Sequence, residues 1–270
     1  MFNFFKKNKK KKINEIICIG TSFTEGDGLN PKKDIDGAVA WYFHNKNIRI
    51  ESINQYCWPT ILQKICRVPV TNLGKSGSSI EYLIRNVEEI IENKNCKNKL
   101  FILEYSSWGR SELWFRPFEK WVVANWGPRN GKDETDGYAT MISTDYNFGE
   151  QLDEQYFKIY EKYLDHFFNE HEYLIQRDRH FLNLLYKLKS LNISYQVIKL
   201  ENPYLHDMDN HKLFNFKDIL NEDLWGYVGK NNLTITYDTL GNIVNDHPSI
   251  EGHNHLAKLF YDKLKNTYQI

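Results

Sequence analysis

Four short apolar runs, separated by stretches with helical spacing, predict a parallel β-sheet. The runs lie at residues 16–19, 68–73, 99–105 and 193–200, and each is rich in isoleucine, leucine or valine. Apolar runs of this length are typical of strands that are buried on both faces. Because helical patterns alternate with them along the chain, the sequence predicts an α/β fold with a mostly parallel sheet and helices on both faces.

Capping residues and apolar spacing locate the helices. Ser79 and Ser249 each precede an apolar pattern with an acidic residue in its first turn, which is typical of an N-cap. Pro59 stands near the start of another helical pattern, where proline is tolerated. The predicted helices cover residues 53–66, 79–91, 152–190 with a break or kink near 171–177, 217–225 and 249–264.

Residues 111–150 interrupt this alternation, since they contain several tryptophans, prolines and glycines without a sustained period. We interpret them as a long insertion, which is either a substrate-contacting lid or a surface excursion that packs its tryptophans into a core. No internal repeat and no linker composition indicates a second domain. The sequence therefore predicts a single domain over residues 13–270 that carries this insertion.

The charges change this picture mainly at the amino-terminal end. The 35 basic and 35 acidic residues cancel, so no global field favours nucleic acid and no nucleic-acid partner is expected. A lysine-rich block runs from Lys6 to Lys12, and residues 1–12 are predicted to be a disordered basic tail, with weak binding to an anionic surface as the alternative. The block follows the first apolar residues instead of preceding them, and no apolar run could span a membrane. We therefore expect neither a signal peptide nor a transmembrane segment, and a cytoplasmic location.

A serine stands directly after the first predicted strand. Ser22 lies in the sequence GTSFTEGDG of residues 20–28, whose glycines and small residues permit tight turns. The carboxyl end of a strand is where open α/β sheets hold their ligands. A serine acts there as a nucleophile if a base accepts its proton and N–H groups hold the oxyanion.

Two later loops offer those partners. The loop after the second strand has the sequence NLGKSG and ends in Gly77. His247 stands before a proline at the start of the last predicted helix, where Asp246 or Asn245 could orient its ring. Because the carboxyl ends of parallel strands lie along one edge of the sheet, we expect both loops to lie near Ser22.

These three loops resemble the sequence blocks of the SGNH (GDSL-type) hydrolase family. The resemblance implies that Ser22 is the nucleophile, that the N–H of Gly77 donates to the oxyanion and that His247 is the base. The order of the blocks agrees, with the serine at the first strand and the histidine before the last helix. The resemblance covers most of residues 15–264 apart from the insertion, and it implies a flavodoxin-like sheet.

The third block departs from the family pattern, because the asparagine that donates to the oxyanion is missing. The sequence after the third strand is SSWGR, so the hydroxyl of Ser107, the indole of Trp108 or the guanidinium of Arg110 could donate instead. A missing donor that nothing replaces lowers the rate by about 10²–10³. Arg110 is otherwise expected to pair with Glu112 or to bind an anionic substrate group.

The block around the histidine also departs from the pattern. The family's acid usually stands three residues before the histidine, and Val244 occupies that position here. Asp246 is adjacent to His247, and Asn245 stands two residues before it; either could hold the ring. We interpret His253, one turn inside the helix, as a surface or core residue and not as the base.

The resemblance implies a serine esterase that hydrolyses a small acyl ester, such as an acetyl group on a carbohydrate. An acyltransferase would use the same residues. A catalytically impaired carbohydrate-binding or scaffold protein is the alternative from another class, favoured by the missing asparagine. Nucleotide binding is disfavoured, since the Ser22 loop lacks a P-loop lysine and the glycine spacing of a dinucleotide site. No cofactor and no metal is expected, because the four cysteines have neither CxxC spacing nor paired histidines nearby.

Overall fold

The computed structural model describes a large part of the chain. The described residues are 10–26, 29, 55–75, 77–106, 110–115, 120–128, 138–143, 158–159, 162–163, 166–200, 203–205, 208, 210–218, 220, 222–234 and 247–270. For residues 113–115, 120–128 and 138–143 only the backbone is described.

Within these residues the strands and helices alternate as follows. The strands are β1 Lys11–Lys12, β2 Glu15–Ile19, β3 Val70–Asn72, β4 Lys99–Tyr105, β5 Arg110–Phe115, β6 Lys120–Pro128, β7 Tyr138–Ser143, β8 Ser194–Lys199 and β9 Tyr268–Gln269. The helices are α1 Ser22–Glu25, α2 Trp58–Cys66, α3 Ile80–Asn93, α4 Glu170–Ser190, α5 Leu224–Lys230 and α6 Ile250–Thr267. A 3₁₀ turn covers Asn215–Asp218.

A parallel four-stranded sheet in the order β3-β2-β4-β8 confirms the predicted α/β fold. Each of its strands coincides with one of the four apolar runs, and β2 begins one residue before its run, at Glu15. Strands β2 and β4 are the central pair, with Ile19 opposite Leu103 at the end of the register. The turn after β2 and the segment after β4 therefore leave the sheet side by side at its carboxyl edge.

Alternate residues of each strand pack on opposite faces of the sheet, because side chains alternate along a strand. One face packs on α2 and α6 through a buried cluster that includes Ile16, Leu62, Ile102, Leu256 and Phe260. The other face packs on α3 and α4 through a second cluster that includes Ile17, Val87, Leu103, Phe181 and Leu185. Helices thus cover both faces, as predicted.

The predicted helix starts are confirmed by their capping geometry. The Ser79 hydroxyl accepts from the N–H of Tyr82 at 3.3 Å, and the Ser249 hydroxyl accepts from the N–H of Gly252 at 3.1 Å. Pro59 lies in the first turn of α2. These caps fix where α3 and α6 begin, and α6 begins directly after the loop that carries His247.

Two boundaries of the predicted helices differ in the structure. The interruption predicted near residues 171–177 lies slightly earlier, because residues 166–167 are helical, residues 168–169 are not, and helix α4 then runs unbroken from Glu170, capped by the side chain of Asn169. Arg177 and Asp178, which are buried and form an ion pair, lie within this helix. The helix predicted at residues 217–225 is instead a 3₁₀ turn that ends at Asp218 and a separate helix that begins at Leu224.

The predicted insertion contains an antiparallel sheet in the order β5-β6-β7. Sequence analysis found no period in this segment and predicted no strands there. Helix α3 contacts the start of this sheet, since Arg85 donates to the buried carboxylate of Glu112 at 2.6 and 3.0 Å. Whether the segment acts as a lid stays a prediction.

The two ends of the described chain lie together. Lys11 and Lys12, which the sequence analysis placed in a disordered tail, pair in parallel with Tyr268 and Gln269 as β1 and β9. The structure differs from the prediction for these two residues, because they find a strand partner at the other end of the chain. None of the helices in the described ranges has the length and hydropathy needed to cross a bilayer.

Candidate active site

Ser22 begins a one-turn helix at the carboxyl end of β2. The N–H of Gly26 donates to the Ser22 carbonyl at 2.9 Å, and Gly26 has a φ of 92°, which ends the turn in the left-handed conformation that glycine favours. The Ser22 side chain is buried, with an exposure of 3%. A Cβ at Gly20 would lie 2.5 Å from the Cβ of Glu104, so only glycine fits where the chain leaves the strand.

The buried carboxylate of Glu104, on the neighbouring strand β4, holds this turn through hydrogen bonds. It accepts from the backbone N–H of Thr21 at 3.1 Å and from the Thr21 hydroxyl through Oε1. Its other oxygen accepts from the hydroxyl of Thr24. The residue before Ser22 and the second residue after it are therefore fixed to a single carboxyl group of β4.

Glu104 is fully buried, and burial raises the pKa of its carboxyl above the ordinary value. The hydrogen bonds from Thr21 and Thr24 and the positive charge of Arg110 act in the opposite direction on this pKa, but burial is the largest effect. A glutamate in the otherwise apolar run of β4 was the sequence signal for this role, and the sequence analysis missed it.

The loop after β3 packs against the Ser22 turn. The N–H of Lys75 and the hydroxyl of Ser78 both donate to the carbonyl of Gly20 at 2.9 Å. The side chain of Asn72 donates to the carbonyl of Thr24 at 3.0 Å. At Gly74 a Cβ would lie 2.3 Å from the backbone nitrogen of Glu25. The first two predicted blocks therefore contact each other, as the topology predicted.

Gly77 lies at the end of this loop in a conformation that side chains rarely adopt, with a φ of 77°. Among the described residues, no atom lies within 4 Å of the position where a Cβ would stand. Conformation, and not contact with a described neighbour, therefore favours glycine here. Donation of its N–H to an oxyanion stays a prediction.

The histidine loop reaches the same turn. The ring of His247 packs on the ring of Phe23, the residue after Ser22, with centroids 5.2 Å apart and planes tilted by 40°. The N–H of Ser249 donates to the carbonyl of Leu233 at 2.8 Å, and Pro248 forms a β-bridge with Thr234. This pairing fixes the loop immediately after His247 against the end of α5.

His253 is a core residue, as expected, and it links two helices. Its Nδ1 accepts from the backbone N–H of Trp58 at 3.1 Å, at the first residue of α2. Its neutral ring therefore carries the proton on Nε2. Burial, together with the nearby charge of His247, lowers the pKa of His253 to about 3, so this imidazole is neutral at physiological pH.

The remaining predicted site residues fall into two groups. Arg110 begins β5 on the same side of the sheet edge, its carbonyl accepts from the Tyr173 hydroxyl at 2.9 Å, and its charge acts on Glu104. Ser107, Trp108, Asn245 and Asp246 lie outside the described residues, so their roles stay predictions. The described residues also contain no group of three or more His, Cys, Asp or Glu side chains that could hold a metal ion.

Comparisons with known proteins give distant likenesses. No protein-family model and no curated protein matches the sequence. Among solved structures, the chain is similar to a psychrotrophic esterase from Pseudoalteromonas sp. (TM-score 0.45, 12% identity, 94% of this chain and 97% of that one). It is also similar to a member of the lipolytic protein G-D-S-L family from Veillonella parvula (TM-score 0.37, 16% identity, 92% and 96% covered).

A third similar structure is an acetyl xylan esterase from the rumen bacterium Butyrivibrio proteoclasticus (TM-score 0.43, 10% identity, 94% of this chain and 64% of that one). These solved structures are G-D-S-L lipolytic proteins and esterases. Similarity of this degree assigns no role to any residue of this chain.

Proposed function

We propose that the chain is a serine-dependent ester hydrolase in which Ser22 is the nucleophile and His247 is the base. The observation that carries this proposal is the contact between the rings of His247 and Phe23, which brings the loop that carries His247 to the residue beside Ser22. The turn that presents Ser22 is held by Glu104 and by the loop that ends in Gly77.

The reaction requires four proton transfers, all at this edge of the sheet. An imidazole nitrogen of His247 takes the Ser22 hydroxyl proton while Oγ bonds to the acyl carbon and the carbonyl electron pair moves to its oxygen. The N–H groups of Ser22 and Gly77 donate to that oxyanion. The alcohol leaves with the proton from His247. Water then repeats the addition with proton transfer to His247, and breaking the Oγ–acyl bond releases the acid and returns the proton to Ser22.

The substrate class that follows from the sequence resemblance is a small acyl ester of a carbohydrate. Comparing the rate of acetate release from acetylated oligosaccharides with the rate from p-nitrophenyl acetate tests the substrate class. This measurement is separate from the test of the nucleophile. If an added alcohol receives the acyl group faster than water does, the chain is an acyltransferase that uses the same site.

Labelling with a fluorophosphonate probe tests the nucleophile. The probe bonds to an activated serine oxygen and releases fluoride, so we expect one label on the native chain, at Ser22. Ser22→Ala should abolish it, and His247→Ala should slow it by about 10²–10⁴-fold because the general base is lost. Ser194→Ala, at the opposite edge of the sheet, and His180→Ala, an exposed histidine on α4, are matched controls that should label at the native rate.

Absence of labelling in the folded native chain would overturn the hydrolase proposal. The binding or scaffold protein would then be the better hypothesis, and binding of oligosaccharides would be measured directly. Labelling at a serine other than Ser22 would overturn the residue assignment while it leaves serine chemistry in place.

A further inference from the structure

One buried hydroxyl at the sheet edge lacks a partner. The Oγ of Ser106 is buried, the residue is 2% exposed, and the atom has no hydrogen-bond partner in the part of the chain that the structure describes. Buried hydroxyls in folded proteins are nearly always paired, because an unpaired one loses its bonds to water without replacement. Ser106 therefore requires an explanation.

Its position follows from the pairing of the two central strands. Ile19 of β2 lies opposite Leu103 of β4, and the next residues, Gly20 and Glu104, are in contact at the strand ends. Ser22 and Ser106 each stand two residues further along their own segment. The nucleophile and the unpartnered hydroxyl thus leave the sheet from neighbouring strands.

The alternation of side chains along β4 gives the face. Ile102 packs in the α2 and α6 cluster, and Glu104 reaches the Ser22 turn. The N–H of Leu200 donates to the carbonyl of Tyr105 at 2.9 Å, so β4 stays paired through Tyr105, the residue before Ser106. The parity of the strand therefore places Ser106 on the same face as Glu104, and His247 approaches this face through Phe23, a member of the same cluster.

We propose that Ser106 is a catalytic residue whose hydroxyl donates to the substrate oxygen that becomes negative when Ser22 attacks. The inference rests on the proposed function and deepens it. The sequence analysis sought the missing donor in Ser107, Trp108 or Arg110, and the structure assigns it one residue earlier. A hydroxyl without a protein partner has no bond to break before it donates, and its residue is already buried at the strand end before the charge develops.

The competing explanation is an internal water molecule that satisfies Ser106 in a purely structural role. The two explanations predict different effects on stability and on rate. If the hydroxyl serves the substrate, its removal relieves an unpaired group in the free protein and harms only the reaction. If it holds a structural water, its removal lowers stability and leaves the reaction of the folded chain unchanged.

The experiment compares Ser106→Ala with Ser78→Ala. Ser78 is an equally buried serine whose hydroxyl does have a partner, the carbonyl of Gly20. We expect Ser106→Ala to melt at or above the native temperature and Ser78→Ala to melt below it. Fluorophosphonate labelling of Ser22 in Ser106→Ala should be about 10²-fold slower than in the native chain.

Steady-state kinetics with p-nitrophenyl acetate should show kcat and kcat/KM of Ser106→Ala falling by the same factor, because the bond forms only in the transition state. Ser106→Thr keeps the hydroxyl and should keep most of the rate, and this comparison holds if the alanine variant folds poorly. Native-rate labelling of Ser106→Ala, or a rate of Ser106→Thr as low as that of the alanine variant, would overturn the inference while the hydrolase proposal stands. A native chain that is not labelled at Ser22 would overturn both.

Discussion

Glu104 and Tyr105 are neighbours at the end of β4, and they bury polar groups on opposite faces of the sheet in different ways. On the α3 and α4 face, the Tyr105 hydroxyl donates to the carboxylate of Asp178. Arg177 donates to the Tyr105 oxygen at 2.6 Å and to Asp178 at 2.9 Å. The N–H of Leu205 donates to the other oxygen of the Asp178 carboxylate at 2.8 Å. The buried negative charge there has a guanidinium in direct contact.

On the α2 and α6 face the compensation is less complete. Glu104 accepts hydrogen bonds from two hydroxyls and one backbone N–H, which are uncharged donors, and burial raises the pKa of its carboxyl. Among the described residues, Ser106 Oγ, Trp58 Nε1 and His253 Nε2 have no hydrogen-bond partner on this side. Arg177 Nη1 and Glu81 Oε2 also lack one on the other side, but the charge of Arg177 is paired and the other oxygen of Glu81 accepts from the Tyr173 hydroxyl. The less compensated face is the one on which we place the reaction, as expected where function and stability compete.

The largest effect should come from the compensated face. Arg177→Met leaves Asp178 buried without its counter-charge, so we expect the free energy of unfolding to fall by about 3–5 kcal/mol. Urea unfolding followed by circular dichroism measures this loss. Fluorophosphonate labelling per folded molecule should stay at the native rate.

The double variant Arg177→Met, Asp178→Asn is the control for this prediction. An asparagine oxygen still accepts from Leu205, and no unpaired charge remains, so the double variant should be more stable than the single one. A single variant that unfolds like the native chain would show that the two faces do not differ in their dependence on charge pairing.

The next effect concerns Glu104 and depends on pH. A carboxyl whose pKa is raised by folding is protonated more in the folded state, so its contribution is fully present below its ordinary pKa near 4.5 and is lost as the pH rises through the folded-state value. The glutamine of Glu104→Gln stays neutral at every pH. As the pH rises above 4.5, the free energy of unfolding of this variant should therefore increase relative to that of the native chain, by at most about 1.4 kcal/mol per pH unit. Urea unfolding across a pH series measures this gain. A constant difference across that series would contradict it.

The smallest effect separates two glycines at which an added Cβ would meet no atom of the described residues within 4 Å. Gly77 has a φ of 77°, whereas Gly229 lies in α5. Gly77→Ala should destabilise the protein by about 1–2 kcal/mol because of the left-handed backbone, and Gly229→Ala should stabilise it by up to about 1 kcal/mol. Opposite shifts in melting temperature would confirm that conformation, and not space, requires glycine at Gly77.

The parallel sheet could be predicted from the sequence because its strands are continuous apolar runs, and α3 and α6 because their caps are local. The site was predictable only as far as it depends on loops at strand ends. The role of Glu104 was missed, because the three hydrogen bonds that define it come from Thr21 and Thr24, some 80 residues earlier in the chain. The antiparallel sheet at β5-β6-β7 was missed for a similar reason, since its pairing leaves no apolar period in the sequence.

The pairing of β1 with β9 bears on the order in which the protein folds. The side chain of Lys10 reaches the carbonyl of Lys265 across 255 residues, and the N–H of Ile13 donates to Gln269 at 3.0 Å. Closing so long a loop costs entropy that two short strands cannot offset by themselves. This contact therefore forms after the sheet and its helices have already brought the ends together, and it opens first. In hydrogen exchange the Ile13 amide should report local fraying of the ends, whereas the amides of β2 and β4 should exchange only when the whole domain unfolds.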